Sequence, residues 1–436
     1  MRHALRGEPR PCRLRACKPT LGVVLVLAGG VSVVPTPVSA QAQSVAPQPG
    51  TLAGSVPLSF PAALELALAH NRELLAARRG RAVREAELRA AGQYPNPELS
   101  FEAARDVPHE TLLLGIPLDV FGRRSARLGL AREELKLADV DERTALARLR
   151  RQLRLSFYGL LAAGELAGLA QAAVDVASRV RDAAGARFET GAAPRLDLMQ
   201  AELGLARARA ELDLARSARH GAQAELNALV DRPVAAATEV EGDVAEAPPL
   251  PDPLRAAAQA AAGNAELLAA EREATIEERR LGLLKAERVP VPVLSLGADF
   301  DSPGEFQVGG RAGLSLSLPL FSRNQGEIAG SLARVAQQQA RRDALRRSVE
   351  ARVVASLAKA EAEKSQVETY RRTLVPTAVE IESLAEESYR LGRAPVLAVL
   401  DAQRSLRDVR SDYLQSCLAL QAAVADLEDV LGGAIQ

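Results

Sequence analysis

The fold is decided by a turn sequence that the chain carries twice, Arg187-Phe188-Glu189-Thr190-Gly191-Ala192-Ala193-Pro194-Arg195-Leu196 and Ser388-Tyr389-Arg390-Leu391-Gly392-Arg393-Ala394-Pro395-Val396-Leu397. Two other segments are repeated upstream. They are Ile116-Pro117-Leu118-Asp119-Val120-Phe121, which matches Leu318-Pro319-Leu320-Phe321, and Asn71-Arg72-Glu73-Leu74, which matches Asn264-Ala265-Glu266-Leu267. The members of each pair lie about 200 residues apart, far beyond the period of roughly 20–50 residues of solenoid repeats. The chain therefore contains a duplicated unit of domain size.

Each copy of the unit is predicted to contain a helix, two short strands, a very long helix, a Gly-x-x-Pro turn and a return helix. The first repeat covers 58–230, with strands at 97–106 and 110–119, the long helix at 124–187 and the return helix at 194–230. A linker rich in proline, alanine and acidic residues covers 231–253. The second repeat covers 254–432, with strands at 292–301 and 306–318, the long helix at 325–390 and the return helix at 395–432. Only Pro376 interrupts this second long helix.

The N-terminus has the features of a signal peptide over residues 1–40, followed by a flexible segment at 41–57. A basic stretch precedes the apolar run Leu21 to Val34, which at about 14 residues is too short for a comfortable membrane span. The small residues Val38-Ser39-Ala40 fit a cleavage site. A signal anchor is the alternative interpretation. Cys417 is the single cysteine after the signal, so no intrachain disulfide is expected.

Charge and composition exclude several classes of protein. After residue 40 the chain has 49 basic and 54 acidic side chains, without the basic excess that nucleic-acid binding requires. Alanine, leucine, arginine and glutamate dominate, which is typical of long packed helices. No apolar run after the signal approaches 18 residues, so no transmembrane helix is expected.

The predicted long helices carry the spacing of a coiled coil. Apolar residues recur at steps of three and four from Leu146 to Leu160. The stretch Arg124 to Arg187 contains no proline, and as one helix it would extend on the order of 95 Å. On the helices alone, a plain coiled-coil rod would be the favoured interpretation.

The predicted strands change that interpretation. They are roughly 9–13 residues long, as tilted membrane strands are, and they alternate apolar with small or polar residues. We predict a lipid-facing row that comprises Leu112, Leu114, Leu294, Leu296, Leu314 and Leu316. A half-buried soluble sheet would show the same alternation. However, four strands cannot close a barrel, and open sheet edges are not tolerated in lipid. Strands in a membrane would thus have to come from several chains.

From Leu58 to Leu431 the chain resembles the TolC-like outer-membrane efflux factors. The resemblance rests on the order of elements and on several motifs. These are Leu58-Ser59-Phe60-Pro61-Ala62-Ala63-Leu64, Tyr94-Pro95-Asn96-Pro97, the strand exits at Pro117 and Pro319, and the two Phe/Tyr-x-x-Gly turns. The segment Leu318-Pro319-Leu320-Phe321-Ser322-Arg323-Asn324-Gln325-Gly326 is most similar to the heavy-metal, CzcC-type branch.

The resemblance implies a mainly α fold with a transmembrane β-barrel contribution. Three chains would form a homotrimer with a twelve-strand barrel in outer-membrane lipid and an α-helical tunnel across the periplasm. The implied partners are a periplasmic adaptor protein and an inner-membrane pump of the RND type. The protein would be a passive duct for heavy-metal cations. A duct for drugs, other small molecules or type I secretion is the alternative within the family, and a soluble periplasmic coiled-coil adaptor or scaffold is the alternative outside it.

The two Gly-x-x-Pro turns are the predicted periplasmic tips, since each joins a long helix to its return helix. Gly191 and Gly392 occupy helix C-terminal positions where glycine adopts positive φ at little cost. Pro194 and Pro395 suit the first turn of the next helix. By resemblance to the family, the tips form a closable aperture and the adaptor contact.

Charged residues near the tips are the candidate gate. Asp197 and Asp401 match aspartates of the family, whereas Ala398 replaces the first of two aspartates that the family often carries in the second tip. A threefold ring of Asp401 could favour cations. Alternatively, both aspartates only complement a helix dipole. The candidate ion-pair partners in a closed tip are Arg195, Arg390 and Arg393. A solvated surface position is the favoured alternative for any single one of them.

Metal-binding and catalytic patterns are not found in the sequence. His70, His109, His220 and Cys417 are widely spaced, and no pair has the spacing of metal ligands. The sequence has neither a phosphate-binding glycine-rich loop nor a nucleophile elbow. We therefore expect no cofactor, no resident metal and no enzyme activity, and the cargo is not specified by the sequence.

Overall fold

The computed structural model describes residues 57–105, 110–191, 193–300 and 308–435. The predicted signal peptide, the segment 41–56 and both hairpin turns, including His109 and Phe306, lie outside the described residues. The helices are α1 Phe60–His70, α2 Arg72–Ala91, α3 Arg123–Glu189, α4 Arg195–Leu229, α5 Pro253–Gly263, α6 Ala265–Glu287, α7 Gln325–Thr369, α8 Val375–Arg390 and α9 Val396–Leu431. The strands are β1 Glu98–Ala103, β2 Glu110–Pro117, β3 Pro292–Phe300 and β4 Val308–Leu316.

The long helices pack in antiparallel pairs that end at the tip turns. Helix α3 has 67 residues, which corresponds to a length on the order of 100 Å. It packs along α4, and α7 and α8 pack along α9 in the same way. Contacts of α3 with α6 and α9 join the two repeats.

The repeated Asn-x-Glu-Leu motif has the same structural role in both repeats. Asn71 and Asn264 are the N-caps of α2 and α6, and their side-chain oxygens accept hydrogen bonds from Leu74 and Leu267 at 3.0 and 2.9 Å. The side-chain amide of Asn71 donates to the Leu229 carbonyl at 3.1 Å, at the end of α4. Its counterpart Asn264 donates to the carbonyl of Val430 at 2.9 Å, near the end of α9. Each asparagine thus starts one helix and fastens it to the end of the return helix of its own repeat. A buried polar side chain is stabilised when its groups are satisfied in this way.

The long helix predicted over 325–390, with Pro376 as its only interruption, is divided close to that proline. Helices α7 and α8 are separated by a π-helical turn at Tyr370–Leu374. Pro376 follows as one of the first residues of α8. Proline has no N–H to donate and its ring clashes with the carbonyl four residues earlier, so an uninterrupted α-helix cannot accommodate it without distortion. The wider π turn absorbs this distortion, and the helix continues toward the tip.

One described helix has the length and composition of a membrane span, which the sequence analysis did not anticipate. Helix α3 contains an 18-residue window of mean hydropathy 1.4, and 28% of that window is buried. Many residues of α3 are alanine or glycine, so few charged residues fall in this window. Such a stretch does not stand out in the sequence as an apolar run. The criterion concerns length and composition only, and α3 packs against α2, α4, α6 and α9 along its course.

A buried arginine joins α3 to α9 and to the segment between the repeats. Arg154, with a side chain 8% exposed, donates to Glu428 through Nε at 3.3 Å and through Nη2 at 3.1 Å. Its Nη1 donates to Gln421 Oε1 at 2.9 Å. The Gln421 amide in turn donates to the carbonyls of Val244 and Glu246 at 2.9 and 2.7 Å. The guanidinium also lies over the ring of Phe60, 5.0 Å from its centroid. This network is the polar centre of the helical core.

The strands form one antiparallel sheet in the order β1-β2-β3-β4. In β1 and β2, Leu99 pairs with Leu114. The two repeats meet where Leu114 of β2 pairs with Leu296 of β3. In β3 and β4, Leu294 pairs with Leu314. Because directly opposed residues point to the same face, these leucines share one face of the sheet.

Candidate functional site

The six leucines of the predicted lipid-facing row lie on the same face of the sheet. In addition to the pairs above, Leu112 lies opposite Ala298 and Leu316 lies opposite Pro292. Leu314 is 69% exposed, and Leu112, Leu114, Leu296 and Leu316 are also exposed, whereas Leu294 is half-buried. Within a single chain this face is therefore an unpartnered apolar surface, which is the kind of surface that interaction with a membrane or another protein covers.

The opposite face carries a polar network that the sequence did not reveal. Thr111 Oγ1 donates to Asp299 Oδ1 at 3.0 Å, and Arg311 Nε lies 3.0 Å from Asp299 Oδ2. These residues come from β2, β3 and β4, and the register places Asp299 opposite both Thr111 and Gly309. The alternation marked them as polar positions, but only the register shows that they meet. A charged and hydrogen-bonded face suits a water-filled lumen.

The two outer strands pair on one side only in the part of the chain that the structure describes. Strand β1 pairs with β2, and β4 pairs with β3. Their outward backbone N–H and C=O groups form open edges. Open edges in lipid would leave those groups without partners, at several kcal/mol each. The sheet is thus incomplete as a membrane structure.

Each of the two tip turns contains a glycine with positive φ. Gly191 and Gly392 have φ angles of 71° and 69°, a left-handed conformation that favours glycine. The Gly392 N–H donates to the Tyr389 carbonyl at 2.9 Å, and Arg393 N–H donates to the Ser388 carbonyl at 2.9 Å. This is the Schellman pattern that ends a helix. The first turn has the equivalent bond from Gly191 to Phe188 at 3.0 Å.

Pro194 and Pro395 differ from the prediction by one position. Both have extended ψ angles, 155° and 158°, and are N-caps rather than residues of the first helical turn. The fixed φ of proline fits an N-cap as well as a first turn, so the sequence could not separate the two positions. Their carbonyls accept hydrogen bonds from Asp197 and Ala398 at 3.1 Å each, which begins α4 and α9.

The structure distinguishes the two candidate gate aspartates. Asp197 lies in the first turn of α4, where a carboxylate complements the helix dipole. Asp401 is exposed and lies beyond the first turn of α9, where the dipole effect has faded. The dipole interpretation therefore fits Asp197 better than Asp401.

The predicted ion pairs of the three tip arginines do not form within one chain. Among the described residues, Arg195, Arg390 and Arg393 have no carboxylate oxygen within 4.0 Å. The tip contact that does form is made by Arg187, whose guanidinium lies 5.4 Å from the centroid of the Tyr389 ring. It joins the end of α3 to the end of α8. Arg187 and Tyr389 belong to the repeated turn sequence, but their pairing across about 200 residues has no sequence signature.

Behind the tips, α3, α4, α8 and α9 form a half-open pocket of about 480 Å³ that Asp401 lines. Arg407 and Glu211 line it too, and their Nη1 and Oε2 atoms are 2.5 Å apart, joining α9 to α4. Burial raises the pKa of Glu382, another lining residue, and the nearby Glu386 raises it further. The sequence analysis missed Arg407 and Glu211, because pairs of charges are common on solvated helices and carry no distinguishing pattern.

The described residues contain no group of three His, Cys, Asp or Glu side chains that could hold a metal ion. Cys417 is fully buried between helices, and burial raises the pKa of its thiol to about 11. A thiol with that pKa stays protonated at neutral pH and is a weak metal ligand.

The sheet, the paired long helices and the twofold repeat agree with one protein family. The sequence profile described as outer membrane efflux protein matches residues 63–231 and 256–433, one segment in each repeat. The chain belongs to the outer membrane efflux protein family. The resemblance to TolC-like factors found in the sequence is thereby confirmed. The two matched segments coincide closely with the two structural repeats.

Individual relatives agree with this assignment. The chain is 28% identical over 381 residues to the cobalt-zinc-cadmium resistance protein CzcC of Cupriavidus metallidurans, covering 86% of this chain and 90% of that protein. It is 26% identical over 372 residues to the pyoverdine export outer membrane protein OpmQ of Pseudomonas aeruginosa, covering 81% and 76%. The fold is similar to that of CusC, with a TM-score of 0.70 and 18% identity, covering 90% of this chain and 96% of that chain.

Membership of the efflux family fixes the location and the general role. The protein is an outer-membrane efflux channel component, with its long helices forming a tunnel in the periplasm. The family is one of channels rather than enzymes. The alternative of a soluble periplasmic scaffold does not fit a family of outer-membrane proteins.

Proposed function

We propose that this protein is the homotrimeric outer-membrane duct of a tripartite efflux system and that it exports heavy-metal cations. The observation that carries the proposal is the four-stranded sheet with one apolar face and two open edges. Three copies would supply a closed twelve-strand barrel, which removes the open edges. The two repeats, at 58–230 and 254–432, would each contribute one hairpin and one antiparallel helix pair.

The duct would act passively between two partners. Its polar sheet face, with Asp299 and Arg311, would line the water-filled pore in the membrane. The helix pairs would continue the pore toward an adaptor protein at the tips and an RND-type pump in the inner membrane. The pump would supply the energy and choose the substrate.

Metal cations are favoured as cargo by the similarity to CzcC, whose name states resistance to cobalt, zinc and cadmium. Export of a small organic molecule is the second candidate, because the relative OpmQ is named for pyoverdine export. The two are separated by deleting the gene and measuring growth with Co²⁺, Zn²⁺ or Cd²⁺ and with a panel of organic toxicants. Sensitivity to the metals alone supports the first candidate, and sensitivity to the organic compounds alone contradicts it.

The assembly state tests the duct itself. The protein extracted in mild detergent should be a homotrimer, because four strands leave two open edges per chain. Native mass spectrometry should give three times the mass of the mature chain. A monodisperse monomer that retains its sheet and helices would contradict the proposed duct.

The charge of Asp401 tests the tip. We expect Asp401→Asn to weaken the cation preference of reconstituted channels roughly severalfold, because three exposed carboxylates would be lost from one level of the tunnel. Asp197→Asn is the matched control and should change selectivity less, since Asp197 lies in the first turn of its helix. Single-channel reversal potentials in a salt gradient measure the effect. Wild-type selectivity in Asp401→Asn channels would mean that Asp401 lies outside the conduction path.

A further inference from the structure

The two hairpins of the sheet are structural copies of each other. Leu99 pairs with Leu114 in the first, and Leu294 pairs with Leu314 in the second. The sequences agree with this superposition, since Pro95-Asn96-Pro97-Glu98-Leu99-Ser100 matches Pro290-Val291-Pro292-Val293-Leu294-Ser295. Strand β3 is therefore the copy of β1, and β4 is the copy of β2.

The strand exits fix the same equivalence. The Val120 N–H donates to the Leu118 carbonyl at 3.0 Å after β2, and the Leu320 N–H donates to the Leu318 carbonyl at 3.0 Å after β4. Matching these turns also aligns Phe121 with Phe321. In this superposition Pro117 corresponds to Ser317. The sequence match of Pro117 with Pro319 is therefore displaced by two residues from the structural match.

The equivalence makes the two open edges complementary. The free side of β4 corresponds to the side of β2 that pairs with β3. The free side of β1 corresponds to the side of β3 that pairs with β2. One chain cannot bring its own β1 and β4 together, because four strands cannot close a barrel. The edge of β4 is thus suited to β1 of a second copy of this chain.

We propose that β4 of one protomer pairs with β1 of the next in the register of the β2–β3 junction. That junction pairs Leu114 with Leu296 and Gly115 with Ser295. When this register is applied to the open edges, Leu314 takes the place of Leu114 and Phe101 takes the place of Leu296. Leu314 then lies opposite Phe101 of the next copy. Ser315 lies opposite Ser100, and Leu316 lies opposite Leu99. This register rests on the proposed trimeric duct and adds to it the residues that meet between protomers.

The side chains fit this register. Leu314 and Phe101 are 69% and 63% exposed in the single chain, and the pairing brings them together on the apolar face. Cross-strand pairs of an aromatic and an aliphatic side chain stabilise a sheet. The small Ser100 and Ser315 meet on the polar face. A slip by one residue would oppose leucines to serines and reverse the two faces.

The hydrogen-bond pattern predicts how close the serines lie. At the end of the β2–β3 ladder, the Leu118 N–H donates to the Pro292 carbonyl at 2.8 Å. Leu118 and Pro292 are therefore a hydrogen-bonded pair of that ladder. Pairs alternate along an antiparallel ladder, which makes Gly115 and Ser295 a non-hydrogen-bonded pair with Cα atoms about 4.5 Å apart. Ser100 and Ser315 would have the same spacing, which is within the range that a disulfide spans.

Cysteine cross-linking tests the register. The variant Ser100→Cys with Ser315→Cys, oxidised in membranes, should run as a covalent trimer on a non-reducing denaturing gel and as a monomer after reduction. The matched control is Ser100→Cys with Ser317→Cys, which lies on the same face and tests the register that the Pro-Leu match predicts. Gly115→Cys with Ser295→Cys is the intrachain reference, since a Cβ at Gly115 makes only ordinary contacts. Each single variant controls for the buried Cys417.

The outcomes separate the register from the duct. The proposed register is supported if cysteines at 100 and 315 cross-link efficiently and cysteines at 100 and 317 cross-link little. Preferential cross-linking through Ser317 overturns it, as does the absence of both cross-links in protein that native mass spectrometry shows to be trimeric. Protein that is monomeric before oxidation overturns the proposed duct, and the register falls with it.

Discussion

Glu428→Ala should lower the free energy of unfolding by about 3–5 kcal/mol. The substitution removes the carboxylate that accepts two hydrogen bonds from Arg154, whose side chain is only 8% exposed. Gln421 cannot replace it, because a neutral amide oxygen does not balance a guanidinium charge in a buried site. The remaining charge would be desolvated without a partner. Loss of helical circular dichroism in a urea titration measures the change.

Asp426→Ala is the matched control for this prediction. Asp426 lies on α9 close to Glu428, and its carboxylate is 2.8 Å from Arg151 on α3. That pair is considerably exposed, so solvent screens it and the loss should stay below about 1 kcal/mol. Arg154→Met should also cost less than Glu428→Ala, because it removes the charge and keeps much of the packing volume. Equal losses in all three variants would show that water reaches Arg154 and that the network is not a desolvated one.

Leu314→Arg should block assembly in the outer membrane. An arginine that faces lipid near the bilayer midplane costs about 2–4 kcal/mol, and a trimer would carry three copies. Leu314 is exposed on the apolar face and would also lose its contact with Phe101 of the neighbouring protomer. The fraction of protein that forms a folded, membrane-inserted oligomer measures the effect, by semi-native gel electrophoresis of outer-membrane fractions.

Ser315→Arg provides the comparison on the same strand. Successive residues of a strand point to opposite faces, so an arginine at 315 would lie on the same face as Arg311 and Asp299. We expect this variant to assemble much better than Leu314→Arg. Equal assembly of the two variants, whether good or poor, would contradict the assignment of the faces to lipid and lumen.

The sequence was most informative where structure is local. Gly191 and Gly392 were identified from their positions after long helical stretches, since positive φ is a property of the residue and its immediate neighbours. The alternation in the strands placed six leucines on one face because side-chain direction repeats every second residue. The two-residue shift between Pro117 and Pro319 shows the limit of this reasoning, because residue identity is a poor guide to strand register.

The division of the second long helix shows a different limit. Pro376 marked the interruption in the sequence, but the π turn at Tyr370–Leu374 could not be read from it. A proline in a helix can be accommodated by a kink, a break or a wider turn. Which of these occurs depends on the helices that pack alongside, here α9.

By itself the sequence determined the twofold repeat, the helix and strand order, the glycine turns and the membership of an efflux family. These features depend on residue type and on periodicities within short segments. The tertiary structure alone decided the contacts between distant segments. Arg154 meets Glu428 across 274 residues, and Thr111 meets Asp299 across 188. Such pairs leave no local pattern, because their energy comes from burial and register, which exist only when the helices and strands have packed together.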